Sequence, residues 1–352
     1  MPSHRTTSIA SSLLLVLSGL CARAEETNPQ AAAPVPVEVT SAEAARALDP
    51  AVTSVRLTQG SGDAVLAELA RNKGLATIVA AQSAVTDQGL RALSAAASLR
   101  EIDLSGCAGI TASGLKSLGG LKKLEVVRLR GVKSLDDASL APLARLTKLR
   151  LLDLSGCTGL GDGAIKALRE LEALEELDLT GVPLTQQGTV HLVRIQSLKV
   201  LHLDRTGIPD PSMLEIVALR NLEVLGVSGN AEFGFVGLLH LGGLRKLRVL
   251  EASGLPDLTD EALQRAAKME TLEKLDVSDC ARVTDAGISA LAASPHLASL
   301  DVSRTHLTGK GLLAFAKCRS LRSLRLAGCP GVKAEDVAAA RAAMPAVTIS
   351  TQ

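Results

Sequence analysis

Hydrophobic residues recur along most of this chain in a pattern nine residues long. It is clearest in the segments LREIDLSGC (99–107), LRLLDLSGC (149–157), LEELDLTGV (174–182), LEKLDVSDC (272–280) and LRSLRLAGC (321–329). Its fourth and sixth residues are aliphatic and alternate with polar ones, which predicts a short strand with one apolar face. The residues that follow, for example VTDAGISALAA (283–293), combine a Thr N-cap with apolar residues at helical spacing. Each unit is therefore predicted to be a strand followed by a helix.

The pattern starts at twelve places that are 23 to 25 residues apart. These are Val52, Leu75, Leu99, Leu124, Leu149, Leu174, Leu198, Leu222, Leu247, Leu272, Leu297 and Leu321, and a last strand-like piece covers 347–349. The first, fourth and sixth positions are aliphatic in every unit. A unit of this length cannot bury its apolar face alone, but stacked copies can. We therefore expect one repeat domain over residues 51–352.

The repeats also carry a motif that resembles a known family. LxxLxLxxC followed by a (I/V/L)TDxxL helix start, as in CARVTDAGISAL (280–291), resembles the cysteine-containing subclass of leucine-rich-repeat proteins over about residues 52–350. The resemblance implies an α/β fold, a right-handed horseshoe solenoid with a parallel sheet on the concave face and helices on the convex face. It also implies a non-catalytic scaffold for protein–protein interaction.

The repeats are similar to those of F-box/leucine-rich-repeat proteins, which makes a ubiquitin-ligase substrate receptor an alternative function. In those proteins an F-box precedes the repeats. Here 51 residues come before Val52, and we interpret them as a signal, a linker and a cap. We therefore favour the scaffold over the ligase role.

The first 24 residues have the pattern of an export signal. His4 and Arg5 give a positive start, residues 9–20 are apolar, and Ala22-Arg23-Ala24 is a small-x-small cleavage site. The apolar run is too short to span a bilayer. We expect cleavage after Ala24 and a secreted or periplasmic protein without membrane insertion. Lipidation at Cys21 is the alternative, although Leu20 is larger than such signals prefer.

Residues 25–39 are rich in Pro and Ala, which is typical of an extended linker. Thr40 or Ser41 is placed to cap a short helix, so residues 40–50 are predicted to cap the exposed end of the core. The formal net charge of the whole chain is +1, and residues 25–352 hold 36 basic and 37 acidic residues. A near-neutral chain argues against nucleic acid as a partner. We expect a monomer that binds a protein or peptide.

Four cysteines, Cys107, Cys157, Cys280 and Cys329, occupy the ninth position of the pattern. Parallel strands lie about 4.8 Å apart, so cysteines two repeats apart are separated by roughly 10 Å. A disulfide requires Cα atoms within about 7 Å. No CxxC pair or His/Cys cluster is present. We predict buried free thiols, with no disulfide and no metal.

His202, at the fifth position, is the one histidine predicted on the concave strand face. Asp178 of the preceding repeat and Asp204 of the same repeat are its expected neighbours, and together they form the one candidate acid/base or metal grouping. An enzyme with a cryptic site around His202 is therefore a second alternative. The chain has no GxSxG, HExxH, GxxxxGK[ST] or GxGxxG motif. We predict no catalytic residues and no cofactor.

The concave face supplies the candidate binding site. Its third-position residues include an apolar stripe with a polar rim, a composition common at interfaces. The stripe is Val126, Leu151, Val200, Val224 and Val249, and the rim is Asp178, His202, Asp204, Arg205 and Glu251. A simpler interpretation is that aliphatic residues occupy these positions because they favour β-strands, without a role in binding. An acidic ladder on the same face would suit a cation or a basic segment.

Overall fold

The computed structural model describes residues 35–352, which form one solenoid around a single parallel sheet. Fourteen strands follow each other in chain order across the sheet. They are β1 (Val37–Val39), β2 (Ser54–Leu57), β3 (Thr77–Val79), β4 (Glu101–Asp103), β5 (Val126–Arg128), β6 (Leu151–Asp153), β7 (Glu176–Asp178), β8 (Val200–His202), β9 (Val224–Gly226), β10 (Val249–Glu251), β11 (Lys274–Asp276), β12 (Ser299–Asp301), β13 (Ser323–Arg325) and β14 (Thr348–Ser350). The predicted horseshoe, with the sheet concave and the helices convex, is confirmed.

Short helices alternate with the strands. The α-helices are Ala42–Arg46, Asp63–Leu69, Asp87–Ala92, Ala112–Leu118, Asp162–Leu168, Gln186–Leu192, Ser212–Ile216, Phe235–Leu239, Asp260–Ala266, Asp285–Leu291, Gly309–Ala314 and Ala334–Ala343. The 3₁₀ helices are Leu93–Ala95, Asp137–Arg145, Leu241–Gly243 and Phe315–Lys317. In Asp137–Arg145, Pro142 lies inside the segment and lacks the N–H that an α-helix needs there.

Equivalent motif positions pair with each other from strand to strand. Ile102 of β4 pairs with Ile78 of β3 and with Val127 of β5, and all three are fully buried. The fourth-position residues therefore form a continuous aliphatic column. The first- and sixth-position residues are buried beside it, except Val52 of the first repeat, which is partly buried. Burying one such side chain stabilises the fold by about 1.5–3 kcal/mol. The predicted inward positions are confirmed.

The amino-terminal end differs from its sequence interpretation. Residues 37–39 were assigned to the linker, but they form β1 and pair with β2. Val39 is fully buried, and its carbonyl accepts a hydrogen bond from the Ser61 hydroxyl. The sheet thus extends one strand beyond the first repeat. Two valines are too short a pattern to reveal this. The predicted signal, Cys21 and most of the linker lie outside the described residues.

The helix Ala42–Arg46 lies within the segment predicted to cap the array. The Ser41 hydroxyl accepts a hydrogen bond from the Ala44 backbone N–H at 3.1 Å, the geometry of an N-cap. Arg46 forms an ion pair with Glu68 of the first repeat helix at 2.8 Å. This helix is therefore joined to the array beside the sheet.

The helix starts are tied to each other across repeats. Asp63 accepts hydrogen bonds from the backbone N–H and the hydroxyl of Thr86, in the next repeat, at 2.7 and 2.6 Å. The same hydroxyl accepts from the Gln88 N–H of its own helix. Equivalent pairs are Asp87 with Thr111, Asp162 with Thr185, Asp260 with Thr284, and Asp285 with Thr308. We call this set of bonds the Asp–Thr ladder.

The ladder explains the glycine that lies three residues after five of the N-cap threonines. A Cβ on Gly89 would lie 2.5 Å from Asp63 Oδ1, so the carboxylate of the preceding repeat occupies the space of a side chain. The recurring TxxG sequence is therefore a packing requirement between neighbours. It carries no sign of phosphate binding.

The ladder is interrupted near the irregular repeat that contains Phe233 and Phe235. Here Asp210 accepts instead from the backbone N–H groups of Gly234 and Gly237 at 2.7 and 2.8 Å. Phe233 is fully buried, and Phe235 packs against the core half-buried. The phenylalanines therefore fill an irregular stretch of core.

The ladder makes a stability prediction with an internal control. Asp260→Ala removes the acceptor for the N–H and hydroxyl of Thr284, so we expect the free energy of unfolding to fall by about 1–2 kcal/mol. Glu261→Ala removes an exposed acid from the same first helical turn, where no ladder bond is made. It should cost no more than about 0.5 kcal/mol. Urea denaturation followed by circular dichroism measures both; equal losses would contradict the ladder.

Candidate functional site

The apolar stripe predicted on the concave face is not an exposed surface. Val200, Val224 and Val249 are 8%, 0% and 7% exposed, and Val126 and Leu151 are half-buried. Val224 of β9 pairs with Val200 on one side and with Val249 on the other, so these short side chains flank one another about 4.8 Å apart. The expectation of an exposed stripe is wrong for its three central valines. The accessible chemistry of this face is polar.

His202, Asp204 and Glu251 converge at the centre of the concave face, and we call them the His202 cluster. His202 Nδ1 lies 3.7 Å from Asp204 Oδ2 and 3.9 Å from Glu251 Oε2. Each of the three residues offers one ligand-type atom within 4.8 Å of the other two. An imidazole and two carboxylates in this arrangement can hold a cation or exchange a proton.

A glycine brings these residues together. His202 is on β8 and Glu251 is on β10, two strands away, with Gly226 of β9 between them in the same register. A Cβ on Gly226 would lie 2.5 Å from Asp204 Oδ2 and 2.9 Å from His202 Nδ1. Across the described strands, β9 alone has glycine at this register. The side chains of β8 and β10 therefore meet over the backbone of β9.

Asp178 is not a direct member of the cluster, contrary to the sequence-based grouping. Its Oδ1 accepts a hydrogen bond from the Thr180 N–H at 2.9 Å, and its Oδ2 lies 3.8 Å from Arg130. Arg130 also donates to Asp153. Asp178 therefore acts on His202 through its charge, while Glu251 takes the place that sequence proximity assigned to Asp178.

The remaining candidates lie around this centre. Glu251 Oε1 is 3.3 Å from Lys274 Nζ of the next strand. Arg205 lies outside the cluster, in the turn after β8, where it is exposed and has a left-handed φ of 53°. Asp204, beside it, accepts a hydrogen bond from the Ser228 N–H at 2.8 Å. Neighbouring repeats thus position both carboxylates of the cluster.

The charges of this face perturb each other. Burial lowers the pKa of His202, but attraction to Asp204, Asp178 and Glu251 raises it more, to about 9. Burial raises the pKa of Asp178 and of Glu251, and the nearby Asp153 raises that of Asp178 further. A protonated imidazole is therefore favoured in the native state. Its single positive charge does not neutralise all the carboxylates around it.

This gives a pH dependence of stability. Because the folded pKa of His202 is raised above the unfolded value of about 6.5, its contribution is complete below pH 6.5 and is lost as the pH rises through about 9. We expect the free energy of unfolding to fall by about 1–3 kcal/mol over this window. His202→Gln should flatten the fall. Urea titrations from pH 6 to 10 test this, and an equal slope in the variant would refute it.

A comparison with protein families places these features in context. The family model of the leucine-rich repeat region matches residues 98–326, nearly two thirds of the chain. The chain belongs to the leucine-rich-repeat family. No curated protein matches it significantly in sequence.

Solved leucine-rich-repeat structures share its fold. An internalin of Listeria monocytogenes superposes with a TM-score of 0.64 at 18% identity, covering 86% of this chain and 82% of the internalin. A chain of the yeast Rad7–Elc1 complex has a TM-score of 0.51 at 17% identity, covering 100% of this chain and 94% of that one. At these identities the likeness shows the fold alone.

The ninth-position cysteines have a structural role in this leucine-rich-repeat fold. The thiols of Cys107 and Cys157 donate to the carbonyls of Ala80 and Leu129, the sixth-position residues of the preceding repeats, at 3.1 and 3.0 Å. Cys280 and Cys329 make the same bond. In the irregular repeat Asn230 takes the position and donates to Leu203 O at 2.9 Å. Each thiol thus links two repeats, and the predicted burial of all four is confirmed.

Burial also controls their reactivity. It raises the pKa of Cys157 to about 11 and that of Cys280 to about 12, so almost no thiolate forms near neutral pH. Iodoacetamide at pH 8 should alkylate half-buried Cys318 in the native protein and should reach Cys157 and Cys280 only after unfolding. Peptide mapping by mass spectrometry resolves the sites. Equal native rates at the three cysteines would contradict their buried role.

No helix of residues 35–352 combines the length and the apolarity that crossing a bilayer requires.

Proposed function

We propose that this protein is an exported interaction scaffold that binds a basic segment of a protein or peptide on the concave face, between β7 and β12. The observation that carries the proposal is a surplus of partly buried carboxylates on this face. They are Glu176, Asp178, Asp204, Glu251, Asp276 and Asp301. The basic groups that contact them, Arg130, His202, Lys274 and Arg325, are fewer. A cationic ligand would neutralise the remaining negative charge of these carboxylates.

The state of these carboxylates supports a basic ligand. Burial raises the pKa of Glu176 and of Asp276, and the charge of Asp301 raises that of Asp276 further. An anion held in a partly desolvated place gains more from an added cation than a fully hydrated one does. Lys or Arg side chains of a partner are the protein groups that supply this charge.

The same face argues against an apolar contact as the main source of affinity. Its central valines are covered, and the chain has no Trp or Tyr to act as an aromatic anchor. A polar interface of this kind favours electrostatic steering and salt-sensitive binding. We therefore expect moderate affinity that decreases as the salt concentration rises.

The export part of the proposal rests on the amino-terminal sequence. The run 9–20 with Ala22-Arg23-Ala24 after it predicts cleavage after Ala24. Amino-terminal sequencing of the protein from the source organism tests this separately. A mature chain that begins at Glu25 supports export, while an intact start would favour the cytosolic alternative.

Charge-neutralising isosteres test the binding face. In Asp178→Asn with Asp276→Asn, the amide oxygens can still accept from Thr180 and Ser278, so the fold should persist. We expect partner binding to weaken about 3–10-fold, since each lost charge contact is worth roughly 0.5–1 kcal/mol. The measurement is quantitative capture from an envelope extract at 50 and 300 mM NaCl.

The matched control removes the same two charges elsewhere. Glu172→Gln with Glu270→Gln changes two exposed acids that lie outside the strands. Capture that depends on salt, weakens in the concave variant and persists in the control supports the proposal. Loss of equal size in both variants, or no loss in either, shows that the concave carboxylates are not the site.

A further inference from the structure

We propose that the His202 cluster is a binding site for one divalent transition-metal ion, which lies over the backbone of Gly226. Zn²⁺ is the ion that we take as the probe. All three protein ligands belong to this chain, so the site does not depend on whether a partner binds the concave face.

The ligand set suits such an ion. One imidazole nitrogen and two carboxylate oxygens are ligands that Zn²⁺ accepts at 2.0–2.2 Å. Atoms that share an ion at this distance lie roughly 3.0–3.6 Å apart. The separations of His202 Nδ1 from Asp204 Oδ2 and Glu251 Oε2 are 3.7 and 3.9 Å. Side-chain movements that shift these atoms by less than about 1 Å therefore bring all three to distances at which they can bind one ion.

The space for the ligands comes from a glycine at a sheet position where the neighbouring strands have larger side chains. At the register of His202 and Glu251, the strands on either side of β9 carry charged or polar side chains. Gly226 interrupts this column, and any Cβ there would collide with Asp204 Oδ2 at 2.5 Å. The cluster exists only because this one position has no side chain, which is a second observation beside the convergence of ligand atoms.

The surrounding residues hold the ligands in place. Asp204 Oδ1 accepts from the Ser228 N–H at 2.8 Å, while Oδ2, which also accepts from the Thr180 hydroxyl at 3.5 Å, lies 3.7 Å from His202 Nδ1. Glu251 Oε1 is engaged by Lys274, which leaves Oε2 directed at the same nitrogen. Outer contacts of this kind orient carboxylate ligands in metal sites. One oxygen of each carboxylate remains available to an ion.

The chemistry of the set selects the class of ion. An imidazole ligand favours Zn²⁺ and neighbouring first-row ions over Mg²⁺ and Ca²⁺, which prefer oxygen alone. Three protein ligands leave further positions for water or for a group supplied from the concave side. The competing interpretation is that the histidine simply neutralises the two carboxylates as a cation, without any metal.

Calorimetric titration of the purified, untagged protein with ZnCl₂ at pH 7.5 distinguishes a metal site from a histidine that only neutralises the carboxylates. Absorption spectra recorded with CoCl₂ are a second readout. We expect one ion per chain and the visible bands of protein-bound Co²⁺. Gly226→Ala, His202→Gln and Glu251→Gln should each weaken this binding by about 100-fold or more. Circular dichroism shows whether each variant keeps the fold.

Glu172→Gln is the matched control, because it removes one exposed charge outside the strands and leaves all three ligands in place. It should reduce Zn²⁺ affinity by no more than about threefold. The proposal fails if the wild-type protein binds no Zn²⁺, or if folded Gly226→Ala and His202→Gln bind it as tightly as wild type. In the second case the ions occupy other groups. A variant that unfolds is replaced by Asp204→Asn, for which the same loss is expected.

Discussion

The fold depends on one constraint: no single repeat can bury its own apolar face. A strand of three or four residues and a helix of five to ten leave the aliphatic side chains of a repeat open on two sides. Neighbouring repeats close those sides, and three sets of contacts keep them in register. Strand pairing aligns the fourth-position column, the ninth-position thiols donate to the preceding repeat, and the Asp–Thr ladder joins the helix starts. Stability is therefore a property of neighbours, as in other repeat arrays.

Local pattern predicted most of this fold. Aliphatic residues at fixed intervals determine the strands, and Thr at the N-cap determines many of the helix starts, because both effects act within one repeat and recur. Strand β1 was missed because Val39 is its one buried residue, and the repeat that follows provides that burial. The exposed stripe at Val200 and Val224 was wrong because burial there depends on the side chains of the neighbouring strands, which no single repeat encodes.

The candidate site was predicted in part. His202 and Asp204 could be placed together because they are two residues apart, at the end of β8 and just after it. Glu251 could not, since strands two apart are normally separated by roughly 10 Å. The signal that would have connected it with His202 is Gly226, a missing side chain between the polar residues of the neighbouring strands. Glycines at turns are common in this chain, but a glycine inside a strand marks a place where other groups approach closely.

A position that departs from the repeat pattern therefore indicates where a functional site can form. Positions that recur serve packing, whereas Gly226 creates a place that no other strand of residues 35–352 repeats. The most direct measurement is a crystal structure of the protein grown with Zn²⁺, with data collected at the zinc absorption edge. We expect an anomalous peak about 2.0–2.2 Å from His202 Nδ1 and from oxygens of Asp204 and Glu251. An empty cluster, or zinc bound only at other residues, would contradict a metal site on this face.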